Sequence, residues 1–265
     1  MSWFRLLVER SNRLPDNYLV FDVETTGLSV NNDLITQVGY CFVNNKQILA
    51  SGSTLLDWTS CSEIDQDWLR NKLIDTKRRM AELGKPYHIT YEKLRDLGQQ
   101  PIHTLDCYFS ALEEAQQRSD ALVSHNGLGF DIPMLRAHFK RWLNKKLTIQ
   151  PNQLYDTGIM EKLCQMNLLP NSGEDIGTFL VRLQYKRMNG IYWSLDKHCI
   201  PKYKLNEKYQ LDADKAHDAG YDCVITYHLF ETFRELSNTD KQHDQKTVCA
   251  DDQPGRPGCQ SAGTV

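Results

Sequence analysis

Two carboxylates stand in a segment otherwise built for burial, Tyr18-Leu19-Val20-Phe21-Asp22-Val23-Glu24-Thr25-Thr26-Gly27. Four apolar residues lead in and a glycine-bearing turn leads out, the pattern of an inner strand covered on both faces. Strand residues two apart point to the same side, so Asp22 and Glu24 project together. Two ionised carboxylates on one buried face repel and lose their hydration. A divalent cation between them is the simplest way to keep both charged. The alternative is a strand that stops at Phe21 and leaves both acids solvated in a loop.

Two further segments carry groups of the same kind. Ser124-His125-Asn126-Gly127-Leu128-Gly129-Phe130-Asp131 follows a short apolar strand and opens a helix. Its glycines let backbone approach a ligand closely. Asp131 lies near a helix N-terminus, where a carboxylate is favoured; a plain helix cap is the other reading. His217-Asp218-Ala219-Gly220-Tyr221-Asp222 begins the last helix. Five residues carry a helix roughly 140° past a full turn. His217 and Asp222 can therefore share a site only if His217 lies at the helix edge or in the loop before it.

The elements that must position these groups follow from periodicity and punctuation. Strands are expected at Tyr18 onward, at Leu34 to Val43 and at Gln47 to Leu56, the last two joined by the turn Asn44-Asn45-Lys46. Helices are expected over Ile64 to Leu83, from Thr90 to Gly98, and from Pro101 through Leu112. Ala121 to Ser124 reads as a short buried strand and Phe130 to Leu143 as a helix. Leu147 to Asp156 contains another short strand. Thr157 to Met166, Glu174 to Arg187 and Ala216 to Leu236 read as helices. An antiparallel strand group followed by alternating helices and strands makes an α/β sheet with helices on both faces.

The 265-residue chain has 40% hydrophobic and 25% charged residues, ordinary for a globular protein, and a net charge of -3. There is no global basic signature, so any nucleic-acid surface is local or metal-neutralised. No apolar run reaches the roughly 20 residues of a membrane span, so no membrane partner is expected. The N-terminus, residues 1–16, reads as an arm or short amphipathic helix. It lacks the pattern of a secretory signal, which makes a cytoplasmic location the expectation. The eight cysteines form no C-x-x-C pair or zinc-ligand spacing, and several lie in apolar segments as small hydrophobes. Residues 17–236 read as one domain. From Ser237 to Val265 polar, Gly and Pro residues dominate, the composition of a disordered tail.

Taken in order, Asp-x-Glu on a strand, His-Asn-(x)4-Asp at a strand-to-helix turn and His-(x)4-Asp at a late helix resemble the DEDD superfamily of 3′–5′ exonucleases. The histidine at 217 resembles the DEDDh group, which includes proofreading epsilon subunits and ribonuclease T. The resemblance spans roughly Tyr18 to Phe233, with His88-Ile89-Thr90 and Asp156-Thr157 as weaker landmarks. It implies a ribonuclease-H-like mixed sheet. It implies that Asp22, Glu24, Asp131 and Asp222 hold two Mg²⁺ or Mn²⁺ ions and that His217 is a general base. The backbone of Thr25, Thr26 and Gly27 and the side chain of Leu28 would hold the terminal nucleotide, with His125 and Asn126 lining the same cleft; core packing is the other reading of Leu28. The implied activity is hydrolysis of single-stranded DNA from a free 3′ end, in proofreading or repair, releasing nucleoside 5′-monophosphates. RNA trimming is the alternative, and a catalytically silent nucleic-acid-binding or polymerase-associated module is the alternative of another class. Proofreading would need a polymerase partner in trans.

Two segments look longer than a compact core of this kind, Ile64 to Leu83 and about Glu174 to Lys204. The stretch Arg182 to Gln210 carries seven basic residues against two acidic, interleaved with Tyr185, Tyr192, Trp193, Tyr203 and Tyr209. It reads either as a track for phosphates and unpaired bases or as a solvated basic face over core aromatics. Lys140, Arg141, Lys145 and Lys146 form a smaller patch.

Overall fold

The computed structural model of the protein describes residues 2–186, 190–212 and 215–238. The tail from residue 239, and Arg187 in the basic stretch, lie outside the described residues. The N-terminal arm is helical: α1 (Trp3–Arg10) is capped by Ser2, whose Oγ accepts the Arg5 N–H at 3.2 Å. It buries Trp3, Phe4 and Leu7.

Five strands follow from the expected segments: β1 (Tyr18–Thr25), β2 (Ile35–Asn44), β3 (Gln47–Leu55), β4 (Ala121–Ser124) and β5 (Leu154–Asp156). Their order is β3-β2-β1-β4-β5. β2 runs antiparallel to both neighbours, whereas β4 is parallel to β1 and β5 to β4. This is a mixed α/β sheet, consistent with the expected ribonuclease-H-like fold. Asn45 and Lys46 take positive φ of 48° and 67° in the hairpin, as a two-residue turn matched to strand twist requires. β1 runs through Thr25, so the loop reading of Asp22 and Glu24 is overturned.

The helices are α2 (Gln66–Glu82), α3 (Tyr91–Leu97), α4 (Pro101–Gln117), α5 (Asp131–His138), α6 (Thr157–Gln165), α7 (Ile176–Leu183), α8 (Ile200–Lys202), α9 (Leu205–Tyr209) and α10 (Ala219–Asn238). A π-helical turn, Phe139–Leu143, extends α5. Three expectations are corrected. α2 begins after Asp65, whose carboxylate accepts the N–H groups of Asp67 and Trp68. α7 is shorter than Glu174 to Arg187 because Asp175 caps it by accepting the Thr178 N–H at 2.9 Å, and Glu174 instead pairs with Arg182. α10 begins at Ala219 rather than Ala216, because the Asp218 carboxylate accepts the N–H groups of Gly220 and Tyr221, both at 3.1 Å. α8 and α9 lie in a stretch whose mixed composition carries no clear period.

α10 is the element that brings the third motif to the first. Tyr18, Asp22 and Glu24 share one face of β1, and there Tyr18 packs edge-on against Phe230 of α10 and donates to Glu231 at 2.6 Å. The helix can start close to the sheet because β2 carries Gly39 opposite Asp22. A Cβ at Gly39 would lie 2.2 Å from the Ala219 carbonyl. Gly39→Ala should therefore destabilise the fold by about 1–3 kcal/mol, the usual cost of overpacking, read as a lower urea midpoint. An unchanged midpoint would mean that α10 does not approach β2 this closely.

Candidate functional site

The five chemistry-bearing residues of the three motifs converge. Asp22 and Glu24 stand on the α10 face of β1, with Gln37 of β2 opposite Glu24. Gln37 holds the start of α10. Its Nε2 donates to Asp218 Oδ2 at 2.7 Å and its Oε1 accepts the Ala219 N–H at 3.2 Å. One turn on, Asp222 reaches over the strand acids. His217 lies in the loop before the helix with φ 63°, and its Nδ1 is 3.9 Å from Glu24 Oε1. The ligand atoms of Glu24, His217 and Asp222 all lie within 4.8 Å of one another, close enough to share one metal ion. Asp131 enters from α5. β4 pairs with β1 only as far as Val20, and Asp131 Oδ1 accepts the Val23 N–H at 2.9 Å.

The turn that delivers Asp131 is fixed from below by a residue that the sequence offered only as a weak landmark. Buried Asp156 accepts the N–H groups of Asn126 and Ile159 at one oxygen and of Leu128 at the other, at 2.9, 3.0 and 3.0 Å. His125 is absorbed into this frame. Its Nε2–H donates to the Trp193 carbonyl at 2.9 Å, which leaves Nδ1 to accept from the Thr157 hydroxyl at 2.9 Å. Burial lowers its pKa to about 4 and keeps the ring neutral. Both ring nitrogens are thus occupied within the protein. Asn126, at φ 65°, has its N–H bound by Asp156, so these two residues shape the cleft wall from within.

The turn after Glu24 is equally constrained. Thr25 Oγ1 donates to the Gly27 carbonyl at 2.6 Å, and Thr26 Oγ1 lies 3.1 Å from Asp33 Oδ1. Asp33 also accepts the Ser29 N–H at 2.8 Å and pairs with Lys72 at 2.9 Å. Gly27 is required here, since a Cβ would sit 2.5 Å from Asp33 Oδ2. Thr76 of α2 donates to the Thr26 carbonyl at 2.6 Å. The result holds Leu28 outward with 77% of its surface exposed, which removes core packing as its role. Leu28, Met80, Leu83, Tyr87 and Phe130 wall an apolar cavity of about 270 Å³ that opens beside Glu24.

Burial and mutual repulsion set the electrostatics. Burial, then the charges of Asp131, Asp222 and Glu24, hold the Asp22 carboxyl well above the usual carboxylate range. Glu24 is raised by burial and by Asp222 and Asp131. Burial pushes Asp131 and Asp222 each up to about 7, against the hydrogen bonds that Val23 and His217 donate to them. His217 moves the other way: burial, then Lys85, lowers it and favours the neutral ring. Four hard oxygen donors that cannot all stay ionised fit Mg²⁺ or Mn²⁺, and the donor set suits neither a soft ion nor an empty core.

The basic side chains of the stretch lie at the surface, and three of them are paired with acids of the domain. Lys202 and the Tyr203 hydroxyl both meet buried Glu161 of α6, each at 2.5 Å, and Lys208 pairs with Glu235 at 2.6 Å. Arg182 forms a two-pronged pair with Glu174. Tyr209 stacks on His228, and Lys162 of α6 sits 3.6 Å over the Trp193 ring. These side chains fasten the stretch to the domain, which favours the structural reading. Tyr185 and Tyr192 are exposed aromatics of the stretch, at 85% and 64%. Among the described residues no helix is long and apolar enough to cross a membrane.

No family model matches the chain, and no protein of curated function matches it. Among solved structures it is similar to exonuclease I, in a structure concerned with how processivity is achieved, at 14% identity and TM-score 0.47, over 88% of this chain and 45% of that one. It is similar to E. coli exonuclease I in complex with a dT13 oligonucleotide, at 14% identity and TM-score 0.48, over 87% and 43%. A moderately thermophilic exonuclease I from Methylocaldum szegediense aligns at 15% identity and TM-score 0.44, over 88% and 45%. The chain thus spans less than half the length of these proteins.

The raised carboxylates fix the sign of a pH effect. Their folded pKa values exceed the unfolded values of about 4, so their stabilisation is complete below that and is lost as pH rises through about 7 for Asp131 and Asp222. Buried His125 and His138, lowered to about 4, act oppositely, but only below about pH 6.5. In EDTA the melting temperature should therefore fall as pH rises from about 6.5, where the histidines no longer oppose it, through about 7, and saturating Mg²⁺ should flatten that slope. Asp22→Asn should raise the EDTA value at pH 8 and weaken the response to Mg²⁺. A pH-independent melting temperature in EDTA would show that the acids do not repel as described.

Proposed function

We propose that the protein is a metal-dependent 3′–5′ exonuclease of the DEDDh kind, acting on single-stranded DNA and releasing nucleoside 5′-monophosphates. The observation that carries this reading is the convergence of Asp22, Glu24, Asp131, Asp222 and His217, from three separate motifs, at one cleft. A silent binding module on this fold would have no need to keep four mutually repelling acids and a neutral imidazole together. Asp22, Glu24, Asp131 and Asp222 would hold two Mg²⁺ or Mn²⁺ ions. Bound there, such ions supply Lewis acidity toward water and phosphate oxygens.

The chain's own residues have separable roles. Neutral His217, held in the loop before α10, accepts the proton of the attacking water. The cavity under Leu28 accepts the terminal base by apolar contact, and the rigid turn from Thr25 to Gly27 lies alongside it. That cavity opens next to Glu24, so a base held there brings its own phosphate to the carboxylates.

A second reading of His217 has an observation of its own, since its ring atoms lie within ligating range of the same point as Glu24 and Asp222. His217→Ala should lose roughly two to four powers of ten in turnover as a base. It should keep the Mg²⁺-induced rise in melting temperature, whereas Asp222→Ala should lose it. Equal loss in both variants would make His217 a ligand.

Polarity and substrate are tested together. A 5′-labelled DNA oligonucleotide should give a descending ladder in Mg²⁺, and a 3′-phosphate should slow it strongly. Early internal fragments would identify an endonuclease, and faster loss of the matched RNA would move the assignment to RNA trimming.

A further inference from the structure

An ion pair crosses the cleft between two elements that the three motifs do not include. Lys85 Nζ lies 2.9 Å from Asp196 Oδ2, and both side chains keep about a quarter of their surface, 22% and 27%. Lys85 stands just past the end of α2, where Gly84 turns through φ 67° and the Lys85 N–H is bound by the Met80 carbonyl at 2.9 Å. α2 itself is tied to the first motif through Thr76 and the Thr26 carbonyl. Asp196 stands in the π-helical turn Leu195–Cys199, and the preceding Trp193 carbonyl is bound by His125 of the second motif. Each partner of the pair is therefore anchored to one wall of the site.

The Lys85 ammonium is also near the chemistry. Its charge acts on Glu24, Asp222 and His217, and Asp196 acts on Asp222 and His217. Leu83 and Tyr87, on either side of Lys85 in the chain, line the cavity beside Glu24. A nucleotide whose base enters that cavity carries a phosphate toward the carboxylates, into the range of this ammonium. A lysine that keeps a quarter of its surface can still be reached by a phosphate oxygen, and a phosphate replaces the carboxylate with another anionic acceptor of a charge-assisted hydrogen bond.

We propose that Lys85 is a phosphate-binding residue of this site, and that Asp196 occupies its ammonium until a nucleic-acid phosphate displaces the carboxylate. This rests on the nuclease reading above and extends it. It also separates from a purely structural tie. If the pair merely fastened two loops, losing either partner would loosen both and weaken binding. If Asp196 competes with phosphate, losing Lys85 weakens binding and losing Asp196 strengthens it.

The test measures binding of the full chain to a 5′-fluorescein dT10 oligonucleotide by anisotropy, with Ca²⁺ in place of Mg²⁺, alongside KM and kcat in Mg²⁺. Lys85→Ala should weaken binding about tenfold, in the range for one charged hydrogen bond. It should raise KM more than it lowers kcat, and it should flatten the salt slope by about 0.7, one single-strand phosphate contact. Lys85→Arg should restore most of the affinity. Asp196→Asn should tighten binding several-fold, and that gain should vanish in Lys85→Ala/Asp196→Asn. A gain that persists in the double variant, or weaker binding in Asp196→Asn alone, overturns the proposal and leaves the nuclease reading intact. A wild-type chain that neither binds nor shortens the oligonucleotide overturns the nuclease reading itself, and this proposal with it.

Discussion

Four carboxylates are brought to one buried point, and the surrounding structure is organised to hold them there against their repulsion. No single helix or strand can do this. Asp22 and Glu24 come from a strand, Asp131 from a helix start beyond β4 and Asp222 from the first turn of α10. Each must be anchored by contacts that do not depend on the acids themselves. For Asp131 the anchor is Asp156, which binds three backbone N–H groups around the turn before α5 and at the start of α6. For Asp222 it is Gln37, which clamps the helix cap, together with the bare backbone of Gly39.

The same division explains why some polar residues of the motifs are consumed internally. His125 and Asn126 sit between two acids in sequence, yet both ring nitrogens of His125 and the backbone N–H of Asn126 serve the frame. A buried polar group left unpaired would itself be destabilising. The frame therefore spends those groups on Thr157, Trp193 and Asp156, and the cleft keeps the acids and His217 as its reactive side chains. Leu28 is the converse case, an apolar side chain held in the open by a turn fixed by its own hydrogen bonds and by Thr76 of α2.

Much of this was legible from residue order. The strand carrying Asp22 and Glu24 and the α/β sheet follow from period and punctuation, and the angle per residue requires His217 to leave its helix if it is to meet Asp222, although the expected helix began at Ala216. The residues that were not legible act through long-range backbone contact. Gln37 and Gly39 look like ordinary strand residues, although a glycine inside an apolar strand is a signal of close backbone approach. Asp218 could be read as a site acid beside His217, and only the hydrogen bonds to Gly220 and Tyr221 identify it as the cap that sets where α10 begins. The basic stretch misleads for a related reason. Composition counts charges but cannot see Glu161, Glu174 and Glu235, which neutralise Lys202, Arg182 and Lys208.

That pairing has a consequence for how a polyanion could enter. With those three cations committed to partners and Lys85 held by Asp196, a phosphate approaching the acid cluster meets its carboxylates, with Arg79 on the wall of the neighbouring cavity. Two like charges about 4 Å apart repel by about 4 kcal/mol at the effective dielectric of a protein surface, so the metal-free cleft opposes the substrate it is proposed to bind. Cations in the acid cluster would reverse that sign locally. Metal and nucleic acid should then bind with positive coupling, each favouring the other by the same factor, as linkage requires. The negative net charge of the chain is consistent with such a site. Attraction for nucleic acid need not be spread over the surface when it is generated at the one place where the strand must end.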